Sequence, residues 1–143
     1  MKNIIIRKSV PKYVLKKLED ILLEGLLFME DAYPEVSFNQ VRVIVTYNAS
    51  RSRYYRNDYD EHLSPTVLLN IRDNIFIYNM KSLKIKSTFA KAPFFVSGIS
   101  SLIHELTHHV QYEKGLPKGE LLTTKNELEY LKVFHPDIHK QLI

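Results

Sequence analysis

The sequence contains no cysteine, and this absence limits the chemistry that is open to the chain. Disulfide bonds and thiolate metal sites are excluded, so any metal ion must be bound by His, Asp or Glu side chains. A lack of disulfides is also typical of proteins from reducing compartments. We therefore expect an intracellular protein of the cytoplasm.

Glycine and proline are scarce as well, with 4 and 6 residues in a chain of 143. Long stretches without regular structure are therefore not expected. Hydrophobic residues make up 45% of the chain and charged residues 25%, which is typical of a globular protein. The length fits a single domain over residues 1–143 with a buried core.

Long hydrophobic runs are also missing from the sequence. The three isoleucines near the N-terminus form a run that is too short for the hydrophobic region of a signal peptide. No other window approaches the length of a transmembrane helix. We therefore expect no membrane partner.

The excess of positive charge is modest, with a net charge of +4 and a pI near 9.2. The run RSRYYR at residues 51–56 combines arginine with tyrosine, residue types that bind phosphates and stack on bases. The remaining positive charges are spread along the chain, so a solvated loop or cleft rim is the better interpretation of this run. Nucleic acid stays open as a less favoured partner.

The hydrophobic pattern predicts an α+β domain. Apolar residues recur at helical spacing in three segments, which are residues 11–32, 93–114 and 125–134. Alternating, β-branched stretches predict strands at residues 41–47, 67–71 and 75–79, with residues 4–6 as a further short strand. We expect a small sheet of three to four strands packed on the N-terminal helix and on the second helix, with a third helix after them.

Two other segments lack a clear period. Residues 51–66 are polar and rich in tyrosine and predict a long loop. Residues 81–91 are ambiguous, and we favour a helix followed by a loop.

The pentapeptide HELTH at residues 104–108 lies inside the second predicted helix. Residues four apart lie on the same side of a helix, so His104 and His108 can bind one metal ion. Glu105 lies about 100° further round the helix, within reach of a water on that metal. The pattern HExxH therefore predicts two zinc ligands and a general base that passes a proton to the leaving amine. The competing interpretation is a pair of solvent-facing histidines on an ordinary helix.

The third protein ligand of such a zinc site is left open by the motif itself. The extended pattern HExxHxxGxxH does not apply, because Gln111 and Lys114 occupy its glycine and histidine positions. Downstream residues of the right chemistry are Glu113, Glu120, Glu127, Glu129 and Asp137 among the carboxylates, and His109, His135 and His139 among the histidines.

HELTHHV followed by KNELEYL resembles the gluzincin, or thermolysin-type, metallopeptidases, and the short chain is most similar to the minimal gluzincins. In that group an Asn-Glu pair on a second helix supplies the third zinc ligand. The resemblance therefore assigns Glu127, which follows Asn126, as the third ligand of one Zn²⁺ per chain. Glu129 is the alternative if the register slips, and a histidine is the remaining possibility.

The resemblance also implies how a substrate is held. IFIYNMKSL at residues 75–83 is similar to the edge strand that small members place ahead of the active-site helix. It implies that residues 75–79 form an edge strand that aligns an extended peptide through main-chain hydrogen bonds.

Two departures from the family pattern concern the groups around the metal. Members often carry Asp four residues after the ligand Glu, where it orients a zinc histidine, and Leu131 stands there in this chain. Glu129 is one candidate to replace it. Large members also supply a Tyr or His that stabilises the oxyanion, and Tyr130 is our preferred candidate for that catalytic role. The alternatives are His109, Tyr112 and His135.

These observations predict a zinc metalloendopeptidase that acts on a peptide or protein substrate. The alternative is a non-catalytic module that binds nucleic acid or protein, in which HExxH is structural or incidental. A third possibility is a peptidase for one cellular protein. The end of the chain, residues 135–143, is expected to be a solvated tail, or else a segment that folds over the zinc cleft.

Overall fold

The computed structural model describes residues 4–47, 65–73, 75–80, 83–88 and 94–142. The described part confirms the α+β class. The elements are β1 (Ile4–Ile6), α1 (Leu15–Ala32), β2 (Arg42–Thr46), β3 (Thr66–Asn70), β4 (Ile75–Met80), β5 (Leu83–Thr88), α2 (Phe94–Lys114), α3 (Glu120–Phe134) and α4 (Pro136–Leu142). A single turn of 3-10 helix, Lys12–Val14, leads into α1.

The five strands form one mixed sheet in the order β1-β2-β3-β4-β5. The first three strands run parallel, and β4 and β5 are added as antiparallel neighbours. The expectation of three to four strands was therefore too low. The additional strand is β5, which lies in the segment where we favoured helix and loop. Its sequence, LKIKST, does not alternate cleanly between apolar and polar residues. Its strand conformation therefore depends on pairing with β4.

The position of β4 corrects the expected edge strand. β4 pairs with β3 on one side and with β5 on the other, so residues 75–79 do not form an edge. Phe76, Ile77 and Tyr78 are all buried, as expected for a strand that is covered on both faces. In the described sheet the outer strand on this side is β5.

The core lies on both faces of the sheet, because successive side chains of a strand point in opposite directions. Val43, Val67 and Tyr78 face the helices and join a large cluster with Leu22 of α1 and Leu106 of α2. The alternate positions form a second cluster on the opposite face, made of Ile44, Leu68 and Ile77. The sheet and α1 together thus give α2 a rigid support.

The contact between α1 and α2 is close at Gly25. A Cβ atom built at Gly25 would lie 2.9 Å from Cδ2 of Leu102 and 3.4 Å from Cδ1 of Ile103. Glycine therefore allows α1 to approach the turn of α2 that directly precedes His104, despite its cost in a helix interior.

Replacing Leu22 by alanine is expected to lower the free energy of unfolding by about 2 to 5 kcal/mol. The Leu22 side chain is fully buried, so its removal leaves a cavity. Leu23→Ala is the matched control, because Leu23 is the next residue of the same helix and is 42% exposed. Urea denaturation of both variants measures the difference. Equal losses in the two variants would contradict the packing of α1.

The end of the chain forms a helix and not only a solvated tail. The predicted break at His135–Pro136 is present, and α4 begins at Pro136. α4 packs on α3, and Ile138 lies against the main core cluster. His135 Nε2 lies 3.1 Å from Glu24 Oε1 on α1. These contacts give no support to the idea that the tail folds over the expected zinc cleft.

The third helix begins earlier than expected. We predicted a start near Lys125, whereas α3 begins at Glu120 with Gly119 as its N-cap. An acidic residue in the first turn suits the positive end of the helix dipole. Among the described helices, none combines the length and the apolar character needed to cross a membrane. The run at residues 51–56 lies outside the described residues.

Candidate metal centre

His104 and His108 lie side by side on the buried face of α2. His104 is only 5% exposed and His108 only 1%. Their ring centroids are 5.0 Å apart, and the ring planes are nearly perpendicular. The interpretation of HELTH as two solvent-facing histidines on an ordinary helix is therefore wrong for this fold.

Glu120 meets the two histidines from the start of α3. Its Oε2 atom lies 3.0 Å from His104 Nε2, and its Oε1 atom lies 3.7 Å from His108 Nε2. One ligand atom from each of the three residues can be chosen so that all lie within 4.8 Å of one another. His104, His108 and Glu120 could therefore hold a metal ion.

A short loop brings Glu120 to this position. α2 ends at Lys114 and is followed by Gly115, whose φ of 65° lies in the left-handed region that favours glycine. The N–H of Leu116 donates to the carbonyl of Gln111 at 2.8 Å and closes the turn. The buried hydroxyl of Thr123 then donates to the carbonyl of Glu120 at 2.7 Å and lies 3.1 Å from its Oε2 atom. Glu120 is 64% exposed in its side chain but is held from two sides.

The other ring nitrogens of the two histidines have their own partners. Glu127 Oε2 lies 3.4 Å from Nδ1 of His104. Gln111 Oε1 lies 2.8 Å from Nδ1 of His108. Each imidazole is thus held at Nδ1 while Nε2 faces Glu120. Groups in this outer position set the orientation and the tautomer of metal-binding histidines.

The structure therefore brings Glu127 to the predicted site, but at the outer nitrogen of His104. In this position it could do what Asp does in the family pattern, where this chain has Leu131. The role of Glu127 as a metal ligand stays a prediction. Its neighbour Asn126 is buried and donates to Thr107 Oγ1 at 3.1 Å and to Tyr33 Oη at 2.9 Å. Asn126 thereby fixes α3 against α2.

Ser87 of β5 contacts His104 on the side that faces Glu120. Its hydroxyl lies 3.0 Å from Nε2 of His104. Sequence reasoning missed Ser87 because β5 itself was not predicted. In the sequence Glu120 is only one of several downstream carboxylates, and Gln111 is notable only for standing where the pattern HExxHxxGxxH has glycine. The glycine at position 115 was the signal that the chain turns back towards His108 within a few residues.

Glu105 is fully buried beside His104. Within the described part of the chain neither oxygen of its carboxyl group accepts a hydrogen bond of good geometry, although the Ser87 hydroxyl lies close enough to act on its pKa. Burial raises the pKa of Glu105 to about 8, and the charges of Glu120 and Glu127 act in the same direction. His104 and the Ser87 hydroxyl oppose this shift.

The two histidines differ in their affinity for protons. Burial lowers the pKa of His108, and the neighbouring His104 lowers it further. Burial acts in the same way on His104, but the hydrogen bond that His104 donates to Glu127 and the surrounding carboxylates outweigh it and raise the pKa of His104 above its ordinary value. His104 therefore holds a proton more readily than His108 does.

Tyr130, the preferred oxyanion candidate, points away from this cluster. Its hydroxyl lies 3.4 Å from Glu24 Oε1 and 3.4 Å from His135 Nε2. Its ring packs edge-on against Phe28. The oxyanion role stays a prediction that this placement does not favour.

Two further candidates, His109 and Glu129, also make their contacts away from the pair of histidines. His109 is buried with its ring nitrogens 2.8 Å from the Tyr78 hydroxyl and 3.0 Å from the Ser37 carbonyl. Glu129 lines a surface groove with Leu27 and Val133. Neither placement supports a role in binding a metal ion together with His104 and His108.

The donor set fits a zinc ion. Two imidazole nitrogens and one carboxylate form a ligand set that is found in catalytic zinc sites. The Nε2 atom of His108 is buried, and the described residues offer it no hydrogen-bond partner. A buried nitrogen in this state is costly, and a bound metal ion would satisfy it.

Comparison of the chain with models of known protein families, with curated proteins and with solved structures finds no match. The functional conclusion therefore depends on the geometry of the site and on the chemistry of its residues.

Proposed function

We propose that this protein is a zinc-dependent metallopeptidase that hydrolyses peptide bonds. His104 and His108 would hold the zinc ion together with a carboxylate from α3, either Glu120 or, as the family resemblance assigns, Glu127. The observation that carries the proposal is the convergence of the Nε2 atoms of two buried histidines and a carboxylate, next to a buried glutamate.

A zinc ion in this position would supply Lewis acidity and a water with a pKa near 7. Glu105 follows His104 directly and would accept the proton of the attacking water. The same carboxyl group would then donate the proton to the leaving amine. Because Glu105 is buried, it holds its proton more tightly than a solvent-exposed glutamate does. A cation nearby would favour the ionised form of Glu105, which is the form that acts as a base.

The sheet supports a peptide or protein as the substrate. β5 is the outer strand of the described sheet, and its Ser87 lies against His104. An extended peptide that pairs with the outer side of β5 would run past the histidines. This is the substrate alignment that we expected of residues 75–79, transferred to the strand that follows them.

Zinc analysis of the purified protein tests the proposal. We expect about one zinc per chain in the wild type and none in His108→Ala, because one of the ligands is removed. His139→Ala is the matched control, since His139 lies on α4 at the end of the chain and should retain zinc. Elemental analysis with circular dichroism measures both metal and fold. A folded wild type that binds no added zinc would overturn the proposal.

A further inference from the structure

Gln111 is a buried polar residue, and both the oxygen and the nitrogen of its side-chain amide make hydrogen bonds. It lies one helical turn after His108 and is 2% exposed. Its Oε1 atom lies 2.8 Å from Nδ1 of His108. Its Nε2 atom donates to the carbonyl of Gly119 at 2.9 Å. The side chain thus connects a histidine of the candidate metal centre to the residue that precedes Glu120.

The Gly119 carbonyl determines how this amide group is oriented. A carbonyl oxygen can only accept, so the NH₂ group of Gln111 must face Gly119. The carbonyl oxygen of the Gln111 amide then faces His108, and it too can only accept. His108 must therefore carry its hydrogen on Nδ1, and Nε2 of the neutral ring is left with a free lone pair.

This tautomer is the one that a metal ion requires at Nε2. The lone pair of His108 lies on the same side as Glu120, whose Oε1 atom is 3.7 Å away. Within the described residues no donor occupies Nε2 of His108. The ring is thus prepared for a cation before any cation is bound.

The same amide group also fixes where α3 begins. Gly119 is the N-cap of that helix, and Glu120 is its first residue. The hydrogen bond from Gln111 therefore holds the backbone directly next to Glu120. One side chain links the tautomer of His108 to the placement of the carboxylate.

We propose that Gln111 is a positioning residue that keeps the zinc-free protein ready for the metal. It holds His108 in the tautomer with hydrogen on Nδ1, and it holds the start of α3 beside the two histidines. Its expected effect on zinc affinity rests on the proposed function. Its effect on the tautomer does not.

The neighbouring histidine provides an internal control. The carbonyl of Ser37 lies 3.0 Å from Nε2 of His109 and can only accept, so His109 carries its hydrogen on Nε2. Nδ1 of His109 then accepts from the Tyr78 hydroxyl at 2.8 Å. Two consecutive histidines are therefore expected to have opposite tautomers, for the same physical reason.

Nitrogen-15 NMR of the histidine rings in the zinc-free protein tests the assignment. In the wild type we expect hydrogen on Nδ1 of His108 and on Nε2 of His109. Gln111→Met keeps a similar length without hydrogen-bonding groups, so His108 should lose its fixed tautomer while His109 is unchanged. Gln111→Glu retains an acceptor for Nδ1 and should keep the tautomer of His108. Competition with a zinc chelator should show a zinc affinity about 10- to 100-fold weaker in Gln111→Met.

Hydrogen on Nε2 of His108 in the wild type would overturn the assignment, even if neither variant folds. An unchanged His108 tautomer in a folded Gln111→Met would overturn it as well. A wild type with the expected tautomers that binds no added zinc would reject the proposed function and leave the assignment of Gln111 in place. The two failures are therefore distinguishable.

Discussion

Glu105→Gln is expected to leave the zinc content unchanged and to lower peptide hydrolysis by about 10²- to 10⁴-fold. Glutamine has nearly the same shape as glutamate, so the buried site keeps its packing. Glutamine cannot accept a proton from water at neutral pH, so the proposed general base is lost. Cleavage of a quenched-fluorescent peptide mixture measures hydrolysis, and elemental analysis of the same sample measures zinc.

Glu113→Gln is the matched control for this experiment. Glu113 lies on the same helix, two turns further on, and its side chain is 43% exposed. The control should retain both zinc and hydrolysis. Hydrolysis that survives Glu105→Gln at the wild-type rate would reject Glu105 as the base, although the metal site itself could stand.

Glu120→Ala and Glu127→Ala are expected to weaken zinc binding to different extents. Loss of a group that holds a ligand from the outer side typically costs about 10- to 100-fold in metal affinity. Loss of a direct ligand should cost more than that. Because Glu120 faces Nε2 of both histidines and Glu127 faces only Nδ1 of His104, we expect the larger loss for Glu120→Ala.

Competition with a chelator measures both affinities, and Glu129→Ala is the matched control. Glu129 lies on the same helix in the groove beside α1 and should bind zinc as the wild type does. A larger loss for Glu127→Ala would show that the family resemblance assigns the ligand correctly. It would also mean that the side chains around His104 rearrange when zinc binds.

The local parts of the fold could be read from the sequence because their signals lie within a few residues of one another. The apolar spacing in α1 and α2 and the alternation in β2 follow from periods of 3.6 and 2.0 residues. β5 carries too weak a pattern of this kind. It becomes a strand because the backbone of β4 offers it hydrogen bonds over its whole length, from Ile75 to Met80.

The candidate site also has a part that local spacing predicts and a part that depends on tertiary contacts. The spacing in HELTH places His104, Glu105 and His108 on one turn of a helix, and this needs only helical geometry. The choice between Glu120 and Glu127 depends on how α3 lies against α2. That arrangement is determined by the turn at Gly115 and by the contacts of Gln111, Thr123 and Asn126.

The sequence by itself determined the α+β class, the helix that carries HELTH, and the pair of histidines with the glutamate between them. Only the tertiary structure decided that β5 and not β4 is the outer strand. It also decided which carboxylate faces Nε2 of each histidine and which group holds Nδ1. The physical reason is that these features join separate elements across the fold, where no local period or spacing constrains them.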